Sequence, residues 1–358
     1  DFIRRPACHW RDVRLPRRVG GQHVNVLRAF ARHILRSRPM VATGEDALNA
    51  VELASATYVS AAKRRTVELP VDADETESVV AMFERGSVQD DEPGELQLWV
   101  ERLGLVNEYE FPLGQDVLRM NDDGVMSILV GGGIPNATAS IMALGTDDRF
   151  DLTNAYWLVA GIAGGDPEDV SLGSAVWAKH VVDGDLKYQI DGREIPESWP
   201  YGMVPLGVNQ PTTNPDDLDG SWAYDTIAFS LNEELVNWAY SLTKDTELGD
   251  APGITAYRQH YTTHPAAQRP PFVTVGDTMS SSTYWHGELM NRWANDWIRL
   301  YRGKAANFMT SNMEDSGTLT ALHRLDQDGL VDKERILVLR TVSNLTMPPE
   351  GQTAHWSK

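Results

Sequence analysis

Two glycine clusters have the composition of a ligand cradle. Gly131-Gly132-Gly133-Ile134-Pro135-Asn136 and Gly161-Ile162-Ala163-Gly164-Gly165 each follow a short apolar run. In open α/β sheets, ligands sit beyond the carboxyl ends of the strands. A backbone without Cβ atoms lets a ligand approach closely there. The same glycines also suit tight strand-to-helix turns. Neither cluster has the dinucleotide spacing GxGxxG or the phosphate-loop spacing GxxxxGK[ST]. The polar candidates lie elsewhere. Asn312-Met313-Glu314-Asp315 reads by residue type as an exposed helix start, with Asn312 capping and two acids at the positive end of the dipole. Glu95 suits a helix N-terminus in the same way, and Asn344 suits a turn ahead of Pro348-Pro349. Tyr284 and Trp285 offer rings that can stack on a planar ligand. His260 and His264 are four apart, but Pro265 breaks a helix there and no third ligand is near. No metal and no cofactor is expected.

The elements that must position these residues follow from periodicity. Ser78–Met82 is an apolar run fit for a buried parallel strand, followed by a polar loop and a helix over 95–103. Further strands are expected over 126–130, 155–160, 272–275, 305–309 and 336–342, with a helix over 137–144. Strands alternating with helices predict an α/β fold around a mixed, mostly parallel sheet.

Composition bounds the partners. The 358 residues carry 51 acids against 32 Lys and Arg, a net charge of -19, which repels a nucleic-acid backbone. A single cysteine, Cys8, excludes an intramolecular disulfide framework and a cysteine-built zinc site. The longest uncharged run, 125–146, has three glycines, a proline and an asparagine in its middle, so no membrane-spanning segment is expected. No signal peptide is visible, and the first residue is Asp1, so a start upstream is expected.

The charge changes abruptly near Pro70. Residues 1–70 hold 13 Lys and Arg against 6 acids, and the remainder holds 19 against 45. Two amphipathic helices are expected in the basic piece, over 24–37 and 46–64. Its segment GEDALNAVELASATYVSAAKRRTVELPVD resembles the C-terminal tail of the glucose-fructose oxidoreductase and inositol dehydrogenase family. That family's dinucleotide-binding half has no counterpart here, so no dehydrogenase activity is inferred. Residues 1–75 are therefore expected to form a basic helical appendage, and residues 76–358 the functional domain.

From Met82 to Ala354 the chain resembles the purine nucleoside permease family. The resemblance is carried in order by MFERGSVQDDEPGELQLWVERL, by GGGIPNATASIMALGTDDRFDLTNAYWLVAGIAGGDPEDVSLGSAVWAKHVVDGDL and by DGREIPESWPYGMVPLG. It continues through GDTMSSSTYW, NFMTSNMEDSGTLTAL and LRTVSNLTMPPEGQTA. The motif order is also similar to nucleoside phosphorylases and nucleosidases, which implies a three-layer sandwich around a mixed sheet. The resemblance implies a purine nucleoside ligand and cleavage of its N-glycosidic bond by water. A phosphorylase and a non-catalytic nucleoside-binding component of transport are the alternatives. The family normally extends beyond the stretch matching 351–358, so a truncated C-terminus is expected. Homo-oligomeric assembly stays open. Localisation is unknown: the family resemblance suggests a periplasmic or secreted protein.

Site roles follow from the resemblance, residue by residue. Glu314 would accept hydrogen bonds from the ribose hydroxyls, and Met313 would pack under the sugar. Asn344 falls where nucleosidases carry an aspartate acid. An amide cannot give up a proton but can bond N7 and a 6-oxo group, which favours inosine or guanosine. Glu95 matches a water-activating glutamate, with Glu84 and Glu92 as rivals. Met279, Tyr284 and Trp285 would face the base, and His286 a 5′-hydroxyl. Gly132, Gly133, Gly161, Ala163 and Gly164 would form the backbone pocket. Where phosphorylases bind phosphate this chain has Val159 and Ile162, so Arg193, Arg269 or Arg340 would have to substitute.

Overall fold

The computed structural model describes residues 78–83, 94–218 and 224–357. The basic piece, with its expected helices and its oxidoreductase-like segment, lies outside the described residues, as do Glu84 and Glu92. Among the described residues twelve strands occur: β1 (Ser78–Met82), β2 (Asn107–Tyr109), β3 (Leu118–Met120), β4 (Val125–Leu129), β5 (Tyr156–Gly165), β6 (Ala175–Asp183), β7 (Lys187–Gln189), β8 (Met203–Pro205), β9 (Ala228–Ser230), β10 (Val273–Ser280), β11 (Phe308–Asn312) and β12 (Ile336–Leu345). The helices are α1 (Gln97–Leu103), α2 (Ile134–Gly145), α3 (Tyr224–Ile227), α4 (Glu233–Thr243), α5 (Pro252–Arg258), α6 (Glu288–Arg302), α7 (Asp315–Gln327) and α8 (Ala354–Ser357).

Ten strands form one mixed sheet in the order β11-β10-β6-β12-β5-β1-β4-β3-β2, with β9 on β6. The strands β4, β1, β5 and β12 run parallel to one another. A second contact bends this sheet. Thr310 and Ser311 of β11 pair antiparallel with Gly165 and Gly164 of β5. The strands β5, β11, β10, β6 and β12 therefore close on themselves.

Helices cover both faces. On one side Val79, Ala81, Ile128 and Val159 pack with Ala137, Ile141 and Leu144 of α2 and Leu319, Leu322 and Leu325 of α7. On the other, Val80, Met82, Leu129 and Ala160 meet Leu96 just before α1. Helix α6 places Trp293, Ala294, Trp297, Ile298 and Tyr301 on a single buried stripe, as its period requires. This is the three-layer α/β sandwich expected. Helices α2 and α7 touch so closely that a Cβ on Gly317 would lie 2.3 Å from the carbonyl oxygen of Ile134. That contact locks the first turn of α7, and with it the Asn312–Asp315 segment, against the sheet.

Several boundaries differ from expectation. Gly161–Gly165 continues strand β5 instead of turning, because β11 needs bare backbone to pair across it. Strands β10, β11 and β12 run on to residues 280, 312 and 345, carried by the closed ring. Helix α2 starts at Ile134, earlier than expected, since Pro135 fits a first turn where no donor is needed. Strands β2, β3, β6, β7, β8 and β9 lie outside the runs that periodicity marks as strands. No described helix is long and apolar enough to cross a membrane.

Candidate functional site

The ends of β1, β5, β10, β11 and β12 surround one pocket, with about 660 Å3 of atom-free space counted out into its mouth. Its wall combines Ile162, Ala163 and Gly164 of β5, Tyr284 and Trp285 after β10, Met313 and Glu314 after β11, and Ser343 and Asn344 of β12. Phe83 and Glu95 complete it from the β1 side.

Glu314 is the chemical centre of this wall. It is 2% exposed, not the exposed helix start its residue type suggests. Asn312 explains the burial, because its Oδ1 accepts the backbone N–H of Glu314 at 3.2 Å and of Asp315 at 3.0 Å, turning the chain inward. Glu314 Oε2 accepts the Met313 N–H at 3.0 Å. Its Oε1 stands 2.6 Å from Arg340 Nη2 as an ion pair, yet no described group donates an aligned hydrogen bond to it. A buried carboxylate oxygen with spare acceptor capacity therefore borders the pocket.

Glu95 lies two residues before α1, not in it, and its side chain spans the ends of two strands. Oε2 accepts the Phe83 N–H at 2.9 Å and Oε1 the Ile162 N–H at 2.6 Å. Burial raises its pKa above the ordinary value, opposed by Arg340 and the Ile162 N–H, with Glu314 pushing the same way as burial.

Arg340 and Asp315 lie behind the wall, both 0% exposed. Arg340 Nε donates to Asp315 Oδ2 at 3.1 Å, Nη2 donates to Asp315 Oδ1, and Nη1 reaches the Ile162 carbonyl at 3.3 Å. Burial alone would lower the arginine pKa, but Asp315 and Glu314 outweigh it and hold it raised. From sequence, Arg340 stands only as a substitute phosphate ligand and Asp315 only as an acid at a helix start. The available signal was Arg340 facing inward on a strand of otherwise apolar inward residues.

Gly161 makes this arrangement sterically possible. A Cβ there would lie 2.5 Å from both Glu95 Oε1 and Arg340 Nη1. Gly161→Ala is therefore expected to lose about 1–3 kcal/mol of stability, as overpacked sites do, with urea unfolding as the measurement.

Asn344 lines the pocket, and its amide Nδ2 donates to the Tyr284 hydroxyl at 3.2 Å while Oδ1 accepts from Ser343 Oγ at 3.3 Å. Trp285 also lines it, with its ring 6.0 Å from Phe308. Met279 does not reach the pocket. It is 0% exposed among Val182, Trp293 and Phe308, because alternation on β10 turns it into the core. Gly132 and Gly133 also stay outside the wall: Gly132 backs onto the Phe83 ring and Gly133 onto Ser282. His286 turns away to Ser357 Oγ at 2.7 Å. Arg193 pairs with Asp191 in solvent and Arg269 lies over the Phe272 ring, so neither lines the pocket. His264 sits 3.3 Å from Glu168, and no cluster of metal-ligating residues occurs among the described residues. Phe83, Ser311, Ser343 and Thr346 join the wall only through strand geometry.

Comparison with known proteins follows the same stretch. Among solved structures, a futalosine hydrolase mutant of Helicobacter pylori aligns over 75% of this chain and 89% of its own, at 15% identity and a TM-score of 0.45. A 5′-methylthioadenosine/S-adenosylhomocysteine nucleosidase mutant from the same organism aligns over 76% and 87%, at 15% identity and 0.46. Scores this low carry no functional weight. Sequence relatives are nearer. A purine nucleoside permease of Candida albicans is 31% identical over 265 residues, covering 72% of this chain and 64% of that protein. A probable purine nucleoside permease of Schizosaccharomyces pombe is 34% identical over 227 residues, 62% of this chain and 64% of its own length. The chain thus spans under two thirds of the curated relatives it matches. The family model described as purine nucleoside permease matches residues 78–357, every strand and helix described above, and on that match the chain belongs to the purine nucleoside permease family.

Proposed function

We propose that the chain binds purine nucleosides in this pocket and hydrolyses their N-glycosidic bond, serving nucleoside uptake or salvage. The observation that carries this reading is the pair of partly or fully buried carboxylates, Glu314 and Glu95, bordering one pocket beside Asn344. Glu314 Oε1, with no hydrogen-bond donor of its own, would accept from the ribose diol. Met313 would pack under the sugar. Glu95 would take a proton from water as the water oxygen bonds C1′. The C1′–N9 bond would break, its electron pair leaving with the purine, which gains a proton from solvent. Asn344 would hold N7 and a 6-oxo group by hydrogen bonds, with its amide oriented by Tyr284.

Phosphate is a poor nucleophile for such a site. Among the described residues, those that line the pocket include two carboxylates and no Lys, Arg or His, and the Ile162 side chain is 52% exposed. A dianion would meet repulsion and an apolar wall. One observation favours a second reading, a binding component without catalysis: both Glu95 oxygens already serve as backbone acceptors. Incubating the protein with inosine, guanosine and adenosine, with and without phosphate, separates the readings. Hydrolysis releases free base at a phosphate-independent rate, phosphorolysis requires phosphate, and pure binding releases none.

The choice of base gives a prediction. Asn344→Asp supplies a group able to protonate N7. Adenosine turnover relative to inosine is expected to rise on the order of 10- to 100-fold, measured as the ratio of kcat/KM. An unchanged ratio would remove Asn344 from base recognition.

A further inference from the structure

We propose that Asp315 is a positioning residue for this pocket: by taking one edge of the Arg340 guanidinium it fixes that cation between Glu314 and Glu95 and sets the charge of the pocket floor. Asp315 is absent from the lining, so it acts through Arg340 and not on a ligand. It takes two of the five guanidinium donors, Nε at 3.1 Å and Nη2. The same Nη2 stands 2.6 Å from Glu314 Oε1. Nη1 bonds the carbonyl of Ile162, whose N–H holds Glu95 Oε1. One planar cation thus ties the two acids facing the pocket into a single rigid unit, and Asp315 is the anchor that prevents the fork from rotating. A fork held at one edge presents its remaining donors in one direction.

Charge follows from the same geometry. Glu95, Glu314 and Asp315 face a single guanidinium, and Asp183 stands behind them, accepting from Ser316 Oγ at 2.7 Å. Three carboxylates around one cation leave an excess of negative charge that a low-dielectric site resists. Burial pushes the Asp315 carboxyl up to about 7 against the pull of Arg340, with Glu314 and Glu95 adding to the rise. The proton belongs to the cluster as a whole.

The inference rests on the nucleoside reading for its ligand arm only. The test compares full-length wild type with Asp315→Asn, by 13C titration of the side-chain carboxyls without ligand and by calorimetry with inosine and 2′,3′-dideoxyinosine. The Glu95 carboxyl midpoint is expected to fall in the variant, because one negative charge leaves its surroundings. The inosine Kd is expected to rise about tenfold or more, with little change for the dideoxy compound, because the diol grip is what loosens. A merely structural role would lower the melting temperature without moving the midpoint or separating the two ligands, and that result overturns the proposal. Should Asp315→Asn fail to fold, Arg340→Lys keeps the charge but not the fork, and must show the same selective loss for inosine. If wild type ignores inosine while the midpoint still moves, the nucleoside reading falls and the positioning role stands.

Discussion

Glu314→Gln is expected to weaken purine nucleoside binding about 30- to 150-fold, the loss of roughly 2–3 kcal/mol for charge-assisted hydrogen bonds in a buried site. The replacement keeps the side chain's shape. Its amide has one oxygen instead of two: an NH2 group facing Arg340 Nη2 meets another donor, and one facing the ribose hydroxyls no longer accepts from them. Folding should survive, since Arg340 keeps both bonds to Asp315. The informative comparison is a double cycle with 2′,3′-dideoxyinosine. Wild type should lose most of its affinity when the hydroxyls are removed, and Glu314→Gln should lose little more. If both proteins lose equally, the hydroxyls are held elsewhere and Glu314 is a structural partner of Arg340.

Glu95→Gln is expected to reduce kcat by roughly 10²–10⁴, the usual contribution of a positioned general base, with nucleoside affinity within a few-fold of wild type. The amide oxygen retains one of the two backbone bonds, to Phe83 or to Ile162, so the strand ends stay near their places. The pH profile gives a second check. Proton abstraction needs the ionised carboxylate, and burial holds this carboxyl above its ordinary value. Activity should therefore be full on the alkaline side and fall as pH drops through that raised midpoint, earlier than an exposed glutamate would lose it. A variant with wild-type kcat, or a wild type with no acidic limb, would leave Glu95 as a clamp between β1 and β5 and favour the binding-only reading.

Much of the architecture was legible before any coordinates. The run Ser78–Met82 is apolar on both faces, and it became a central strand. The strand-then-helix rhythm predicted a mixed α/β sheet, and that is the sheet present. The roles of Glu314, Asn344, Trp285 and Glu95 came from motif resemblance, and those four residues meet in one pocket. Residue type alone misjudged Glu314 as a surface group, because local sequence does not state which way a helix start will point.

What the sequence by itself determined is local: the apolar runs, the amphipathic stripe of α6, the Asn312 turn, and the bare backbone at Gly161–Gly165 that permits close approach. It also determined family membership, through motifs matched in order. Only the tertiary structure decided what that bare backbone is for. The ring closes when β11 crosses β5 at Gly164 and Gly165, a pairing between residues about 145 positions apart in sequence that no short window contains. The same closure turned Met279 into the core and drew Arg340 and Asp315 behind the wall. Side-chain direction on a strand depends on register, and register is set by the partner strand.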